Sequence, residues 1–283
     1  MKAKYMFVKS SNSSLLLRGL TVIAVMSTAH AAVVANFNGV SNPIPGSFNA
    51  NGQTLPTWSA TNGIGATGGI DLPSSPRNFG NYQAVANSGA ESFSTVGSTL
   101  VTSMFLRIDA APTSSPADAR LLDLYAATSS ATNFTISDAA NAHVGVRLNT
   151  IGDNLTYRMQ SRNNGDSSNI MGTTTFSLTL GNWYLMSVLF TNVDVAAGTI
   201  SLDVNLDDYG TAGTTFASNV FTGTANVTNT TLTGDSTVFG GFRIPRGDNL
   251  SGADNFSFAV PEPGSALLAG MGLALLAVRR KRA

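Results

Sequence analysis

Residues 183–190 read WYLMSVLF and residues 199–206 read TISLDVNL. In the second stretch Ile200, Leu202, Val204 and Leu206 fall on one side, and Ser201, Asp203 and Asn205 on the other. That period of two is what an extended strand with one buried face imposes. The first stretch is the most apolar strand candidate in the chain. Working outward, Thr99 to Ile108 (TLVTSMFLRI) and Arg120 to Tyr125 (RLLDLY) read as strands on either side of a Pro-marked loop at 112–116. Asn133 to Ile136, His143 to Leu148 (HVGVRL) and Leu155 to Gln160 (LTYRMQ) follow, with Asn149 to Asn154 as a hairpin turn. Phe176 to Leu180 alternates, and Val238 to Ile244 and Asn255 to Val260 close the series.

Before these, Ala32 to Phe37 reads as a first strand. Asn42 to Gly80 is rich in Gly, Pro and Asn and reads as long loops with one strand around Thr57 to Ala60. No stretch has helical periodicity. Strands every 10 to 15 residues or so, with turn signals between them, predict an all-β fold: an antiparallel β-sandwich or jelly roll.

The two ends have a different character. Lys2, Lys4, Lys9 and Arg18 form a basic n-region, Gly19 to Met26 an apolar core, and Ala29-His30-Ala31 a small-x-small cleavage site. This predicts a signal peptide over residues 1–31, cut after Ala31 by signal peptidase; an uncleaved anchor is the alternative. At the far end Pro261-Glu262-Pro263 precedes an uncharged apolar run, Ser265 to Val278, and then Arg279, Arg280, Lys281 and Arg282. As a helix of about 14 residues the run covers about 21 Å. That is short for a hydrocarbon core of about 30 Å. The basic cluster would stay on the cytoplasmic side and leave the rest of the chain outside.

Composition changes once the ends are set aside. All four lysines lie in them. Residues 32–260 hold 8 arginines against 15 acidic residues, a net charge of −7. A lysine-free, acidic body argues against nucleic acid, anionic lipid or an acidic polymer as direct partners. There is no cysteine, which excludes disulfides, thiol catalysis and cysteine metal sites. The Asn-x-Ser/Thr triplets are what chance supplies in a chain this rich in Asn and Thr.

Candidate chemistry is sparse. Glu91 has no carboxylate partner at strand spacing, so the paired acids of a retaining glycosidase are missing. His143 lacks a G-x-S-x-G elbow to serve and reads as structural. Asp203, Asn205, Asp207 and Asp208 place hard oxygen donors along one strand and into the next turn, a set that calcium accepts. The alternative for them is the solvated face of an amphipathic strand. Asp153, Asp166 and Asp194 read as turn formers, and Asp254 and Asp248 as further oxygen donors. Trp58 reads as a core plug under the loops, with an exposed sugar-stacking platform as the alternative, and Trp183 reads as core. Tyr82, Tyr157 and Tyr184 stand as candidate sugar platforms. Arg246-Gly247-Asp248 is a chance tripeptide.

Two resemblances follow from these residues. Pro261-Glu262-Pro263, the short apolar helix and the terminal basic cluster, in that order, resemble the PEP-CTERM sorting signal of Gram-negative bacteria. The resemblance implies recognition by an exosortase, a membrane protease that would remove the helix, and delivery to the cell surface or an exopolysaccharide matrix. Gly181 to Val188, Thr199 to Val204, Phe239 to Arg243 and Ala253 to Phe258 resemble strands of the laminin-G-like and concanavalin-like jelly rolls, over residues 144–259. The expected Asp-Gly hairpin is replaced by Leu206-Asp207-Asp208-Tyr209-Gly210.

The chain is thus expected to divide into a signal peptide (1–31), a sandwich (32–259) and a sorting segment (260–283) with a short transmembrane helix (265–278). The expected function is that of an exported, non-catalytic surface or matrix protein. It would be anchored transiently in the inner membrane, and would bind extracellular polysaccharide or simply build matrix. The alternatives are a polysaccharide hydrolase or lyase on the same fold, and a calcium-dependent adhesin.

Overall fold

The computed structural model describes residues 32–35, 57–71, 84–85, 92–111, 120–128, 142–151, 156–164, 166–171, 175–235, 238–244 and 251–259. The expected signal peptide, strand 133–136 and the sorting segment lie outside them, as do Tyr82, Glu91, Asp153 and the 246–248 tripeptide. All described strands belong to one unit, Ala31–Val260.

Alternating apolar residues build the strands. In chain order they are β1 (Ala32–Ala35), β2 (Thr57–Ser59), β3 (Gly69–Asp71), β4 (Ala84–Val85) and β5 (Thr99–Arg107), then β6 (Arg120–Ala127), β7 (His143–Ile151) and β8 (Thr156–Asn163). They continue with β9 (Asp166–Ile170), β10 (Phe176–Ser177), β11 (Trp183–Asp194), β12 (Thr199–Asp208) and β13 (Ser218–Thr228), and end with β14 (Phe239–Arg243) and β15 (Gly252–Ala259). One helical turn, α1 (Thr230–Gly234), follows β13, capped by the Asn229 side chain, which accepts from Leu232 N at 3.0 Å. Every pairing is antiparallel. The first sheet runs β13-β12-β11-β5-β15-β3-β2, with β1 added on β15; the second runs β10-β8-β7-β6-β14-β4, with β9 added on β8.

The sheets stack face to face. Met104, Met186 and Leu206 form one buried row of the first sheet, and Leu100, Phe190 and Leu202 another. Leu122, Leu124, Val144, Val146, Leu148, Tyr157 and Met159 answer them from the second sheet. Each such side chain contributes about 1.5–3 kcal/mol on burial, and this layer is the main driving force for folding. Aromatic pairs bridge the two sheets at both margins. Phe242 and Phe256 lie 4.9 Å apart between β14 and β15, and Phe176 and Phe221 5.1 Å apart between β10 and β13.

The structure is an all-β antiparallel sandwich, as the alternation predicts. It departs from the strand-by-strand reading in several places: β3 and β9 lie where loops are expected, so Asp166 opens a strand rather than a turn, and β7 runs on to Ile151 through the start of the expected 149–154 turn. β13 has no counterpart in that reading, because only Phe221 and Val227 are large, inward-facing residues and Gly223 holds an inward position between them. β10 ends at Ser177 rather than Leu180. The Tyr184 hydroxyl accepts from Thr179 N at 2.7 Å and donates to Thr179 O at 3.1 Å, so that backbone is satisfied without a ladder partner.

Candidate functional site

The residues singled out on β12 fall on the outer face of the first sheet. Asp203, Asn205 and Asp207 each have a cross-strand side-chain partner on β13. The Thr224 hydroxyl donates to Asp203 at 2.7 Å, the Thr222 hydroxyl to Asn205 at 2.9 Å, and Asn219 Nδ2 to Asp207 at 2.8 Å. At about 3.3 Å per residue, Asp203 and Asp207 stand about 13 Å apart along the strand. Asp208 ends β12 at the mouth of the turn, where it accepts from both Asn182 Nδ2 and Gly210 N. The four donors thus form a ladder and a turn rather than one cluster. Among the described residues no group of three or more His, Asp or Glu is gathered. Burial pushes the Asp207 carboxyl above its ordinary range, against the pull of Asn219. Beyond this ladder, Phe105, Tyr209 and Phe216 meet edge to face at 5.1 and 6.0 Å.

The other singled-out residues are structural in placement. Tyr157 and Tyr184 are buried in the core and Trp58 packs half-buried against it, whereas Trp183, expected in the core, is buried outside that cluster, opposite Arg107 on β5. His143 is fully buried, and its amide donates to Asn164 Oδ1 at 3.0 Å. Asp194 caps a turn by accepting from Ala197 N. Asp254 accepts from the amides of Ile64 and Asn255, and burial raises its carboxyl above the usual range. A cleft of about 390 Å³ opens near Gly63, Gly65, Arg107 and Trp183. There Arg107 lies 5.1 Å over the Trp183 ring and is held by Asn62 at 2.6 Å and Asp109 at 2.8 Å.

The densest chemistry lies on the outer face of the second sheet, in three cross-strand rows. The first row is Arg243, Asp123, Arg147 and Gln160; the second is Gly241, Tyr125, Gly145 and Arg162; the third is Arg120, Asn149 and Arg158. The alternation explains why they share a face. Leu122, Leu124, Val146, Leu148, Tyr157 and Met159 turn inward, which sends their neighbours out.

Asp123 sits at the centre, buried with Arg147. Arg147 Nε lies 2.5 Å from Oδ1 and Nη2 lies 2.6 Å from Oδ2, a bidentate fork. Arg243 approaches the same carboxylate at 3.8 Å. Burial alone would raise the Asp123 pKa. The guanidiniums of Arg147, Arg243 and Arg162 outweigh burial and hold it below the ordinary carboxylate range. Burial, followed by repulsion from Arg147, brings Arg162 down to about 10, and the same causes lower Arg243. Burial raises the Tyr125 hydroxyl above its usual range.

Two glycines make room for Tyr125. A Cβ on Gly241 would stand 2.4 Å from the ring's Cζ, and one on Gly145 would stand 2.8 Å from Tyr125 Cβ. The ring lies where a Gly241 side chain would be, and the Tyr125 backbone and Leu124 O crowd the Gly145 position. Asn149 donates to Gln160 Oε1, while its own Oδ1 is buried without a hydrogen-bond partner among the described residues, as is Nε of Arg243. The face deepens toward Asp123 and Arg147 and opens at its margin, where Arg158, Gln160 and Arg243 are half-buried and Arg120 is exposed.

The sequence reading missed this constellation. Its signal was present in part, as arginines at outward positions of HVGVRL, LTYRMQ and the strand ending at Arg243; Arg120 shares the parity of the inward Leu122 and joins the face through an irregularity in β6 between the two. Five of the 8 arginines of residues 32–260 stand here, with Asp123 the one carboxylate described among them. The body's charge of −7 is therefore not spread evenly, which undercuts the exclusion of acidic polymers argued from that total.

In sequence, no curated protein matches the chain. Among solved structures, peanut lectin with a bound 9mer peptide is 15% identical, covering 79% of this chain and 95% of the lectin at a TM-score of 0.48. Winged bean acidic lectin complexed with methyl-α-D-galactose is 12% identical over 79% and 96%, at 0.47. The PL-14 alginate lyase from Aplysia kurodai is 9% identical over 73% and 87%, at 0.46. At such scores and identities the likeness extends to neither ligand nor chemistry. Among the described residues no helix is long and apolar enough to cross a membrane. The profile of the PEP-CTERM protein-sorting motif matches residues 259–282, a span that contains Pro261, Glu262 and Pro263, the apolar run and the basic cluster. The chain is thus an antiparallel β-sandwich protein with a PEP-CTERM sorting motif at its C-terminal end, a signal that marks it for export.

Proposed function

We propose that this is a non-catalytic cell-surface or matrix protein that binds extracellular polysaccharide through the outer face of the second sheet. The carrying observation is the concentration of arginine, tyrosine and amide side chains on one face of an exported sandwich. Sugars are recognised by planar hydrogen-bonding groups of this kind set in a fixed frame. In this reading an exosortase-type protease recognises Pro261-Glu262-Pro263, the short helix holds the chain in the inner membrane until then, and the sandwich is released to the surface.

Binding without catalysis is supported by the state of the two acid–base candidates. Asp123 is the one carboxylate described on that face, and Arg147 occupies both its oxygens. Burial raises the Tyr125 pKa, so its hydroxyl keeps its proton. Neither is poised to take a proton from a sugar.

A glycan array probed with the purified exported protein tests the reading. Retention of a defined glycan class is expected, and an array with no retained glycan would sink it. Release of new reducing or unsaturated ends from a retained glycan would turn the binder into an enzyme. Repeating the array with chelator reads the calcium expectation separately: lost retention would assign calcium a part. For the sorting step, mass spectrometry of the surface form should find Arg279 to Arg282 removed.

A further inference from the structure

Resting on that reading of the second sheet's outer face, we infer that its ligand is a polyanionic glycan, one carrying carboxylate or sulfate groups along its chain. Arg120, Arg147, Arg158, Arg162 and Arg243 share the face, and Asp123 is the single carboxylate that the described structure places among them. Asp123 is matched by Arg147, so the remainder of the face is cationic. Arg120, Arg158 and Arg162 have interactions of their own within the protein; what distinguishes them is shared sign and placement.

Placement favours a polymer over a single anion. The rows are about 7 Å apart along the strands, and neighbouring strands lie about 4.8 Å apart. No one carboxylate spans Arg120, Arg158, Arg162 and Arg243, whereas a chain with an anion on each sugar reaches them in turn. The guanidinium is suited to this role: it stays charged and offers a planar fork that fits carboxylate and sulfate alike.

Two further features point to a hydroxylated polyanion. Asn149 Oδ1, on a residue only 2% exposed, is an acceptor without a partner among the described residues, and Arg243 Nε is a donor without one. A sugar acid supplies a hydroxyl to the first and an anionic oxygen to the second. The crowding of like charges agrees. Repulsion from Arg147 already bears on Arg162 and Arg243, and an incoming anion relieves it where a neutral sugar does not.

Titration of the exported protein with four polymers tests this: a polyuronate, dextran sulfate, neutral dextran and single-stranded DNA, each at low and high salt. Binding to the polyuronate, to dextran sulfate or to both is expected, at least tenfold tighter than to neutral dextran. The two arms show whether carboxylate or sulfate is preferred. Screening makes the binding fall steeply as salt rises. Arg120→Gln and Arg158→Gln, at the open margin, should each weaken it about tenfold, the loss of one charge-assisted hydrogen bond. Asp203→Asn on the opposite sheet should leave it unchanged. If either arginine variant fails to fold, the salt dependence of the native protein decides. Neutral dextran bound as tightly as the polyanions would overturn the polyanion and leave polysaccharide binding standing. Equal affinity for DNA would overturn the glycan. No binding to any polymer would take both readings down.

Discussion

The sandwich has two outer faces, and they handle polar side chains in opposite ways. On the first sheet Asp203, Asn205 and Asp207 are short and half-exposed, and each is matched across β12 and β13 by Thr224, Thr222 or Asn219. Ser103 and Ser257 meet at 2.6 Å in the same manner on β5 and β15. On the second sheet the polar groups are long, charged and mostly buried, and one carboxylate is surrounded by several guanidiniums. Both faces rest on the same apolar layer. Water screens the first, so its charges contribute little. The second sits at low dielectric, where each charge is costly unless matched. A fold bears that cost at only a few places, and those are where function is to be sought.

The largest test of the contrast is removal of one partner from the buried pair. Arg147→Met leaves Asp123 buried without its fork, and a loss of about 3–5 kcal/mol is expected in chemical denaturation. The double variant Asp123→Leu/Arg147→Met should recover part of that loss, because an apolar pair leaves no orphaned charge. A single variant costing under about 1 kcal/mol would place this pair with the surface pairs and erase the difference between the faces.

Next comes packing. Gly241→Ala puts a methyl group 2.4 Å from the Tyr125 ring. The strand or the ring must shift, at about 1–3 kcal/mol. Tyr125→Ala in the same chain should relieve most of it. An unaffected melting temperature in the single variant would mean the ring is free to leave Gly241.

The pH dependence should carry opposite signs on the two faces. Asp123 has a folded pKa below the unfolded value of 3.8. Its stabilisation is complete above that value and lost as pH falls through the folded pKa. Asp123→Asn should therefore flatten the acid limb of a stability–pH curve. Asp207 has a folded pKa above 3.8. The folded state binds its proton more tightly, so a small destabilisation present at neutral pH disappears as pH falls through the raised pKa. Asp207→Asn should raise stability slightly at neutral pH and leave the acid limb steep. Acid limbs that coincide in the two variants would refute the assignment.

How far these features were legible in the sequence follows from the same contrast. TISLDVNL showed its inward residues directly, because Ile200, Leu202, Val204 and Leu206 are all large and apolar. β13 hid because its inward side includes Gly223, and a glycine adds nothing to an alternating pattern. The arginine face hid for another reason. Arg120, Arg147, Arg158 and Arg243 come from four strands, and each alone looks like an ordinary outward polar residue. Only the registers of β6, β7, β8 and β14 bring them together. A total of −7 pointed the wrong way, because charges beyond about 10 Å of one another are screened and a sum over the body says nothing about one face. Tyr157 and Tyr184, read as candidate sugar platforms, are buried instead, because a long apolar strand has little use for an exposed ring.

The smallest expected effect tests the first face on its own terms. Thr224→Val removes the hydroxyl that donates to Asp203 at 2.7 Å and leaves the side-chain shape nearly unchanged. The bond lies at an exposed position, so water replaces the lost donor and Asp203 is not left unsatisfied. Valine also suits an outward strand position as well as threonine does. The two effects oppose each other, and the change should stay within about 0.5 kcal/mol in either direction. Adding Asp203→Ala should shift it no further than the sum of the single changes, since a screened pair has little coupling to lose. A coupling energy above about 1 kcal/mol in that cycle would mean that the Thr224–Asp203 rung is shielded from water. The first face would then share the dielectric of the second, and the division between a solvated ladder and a buried charge cluster would fall.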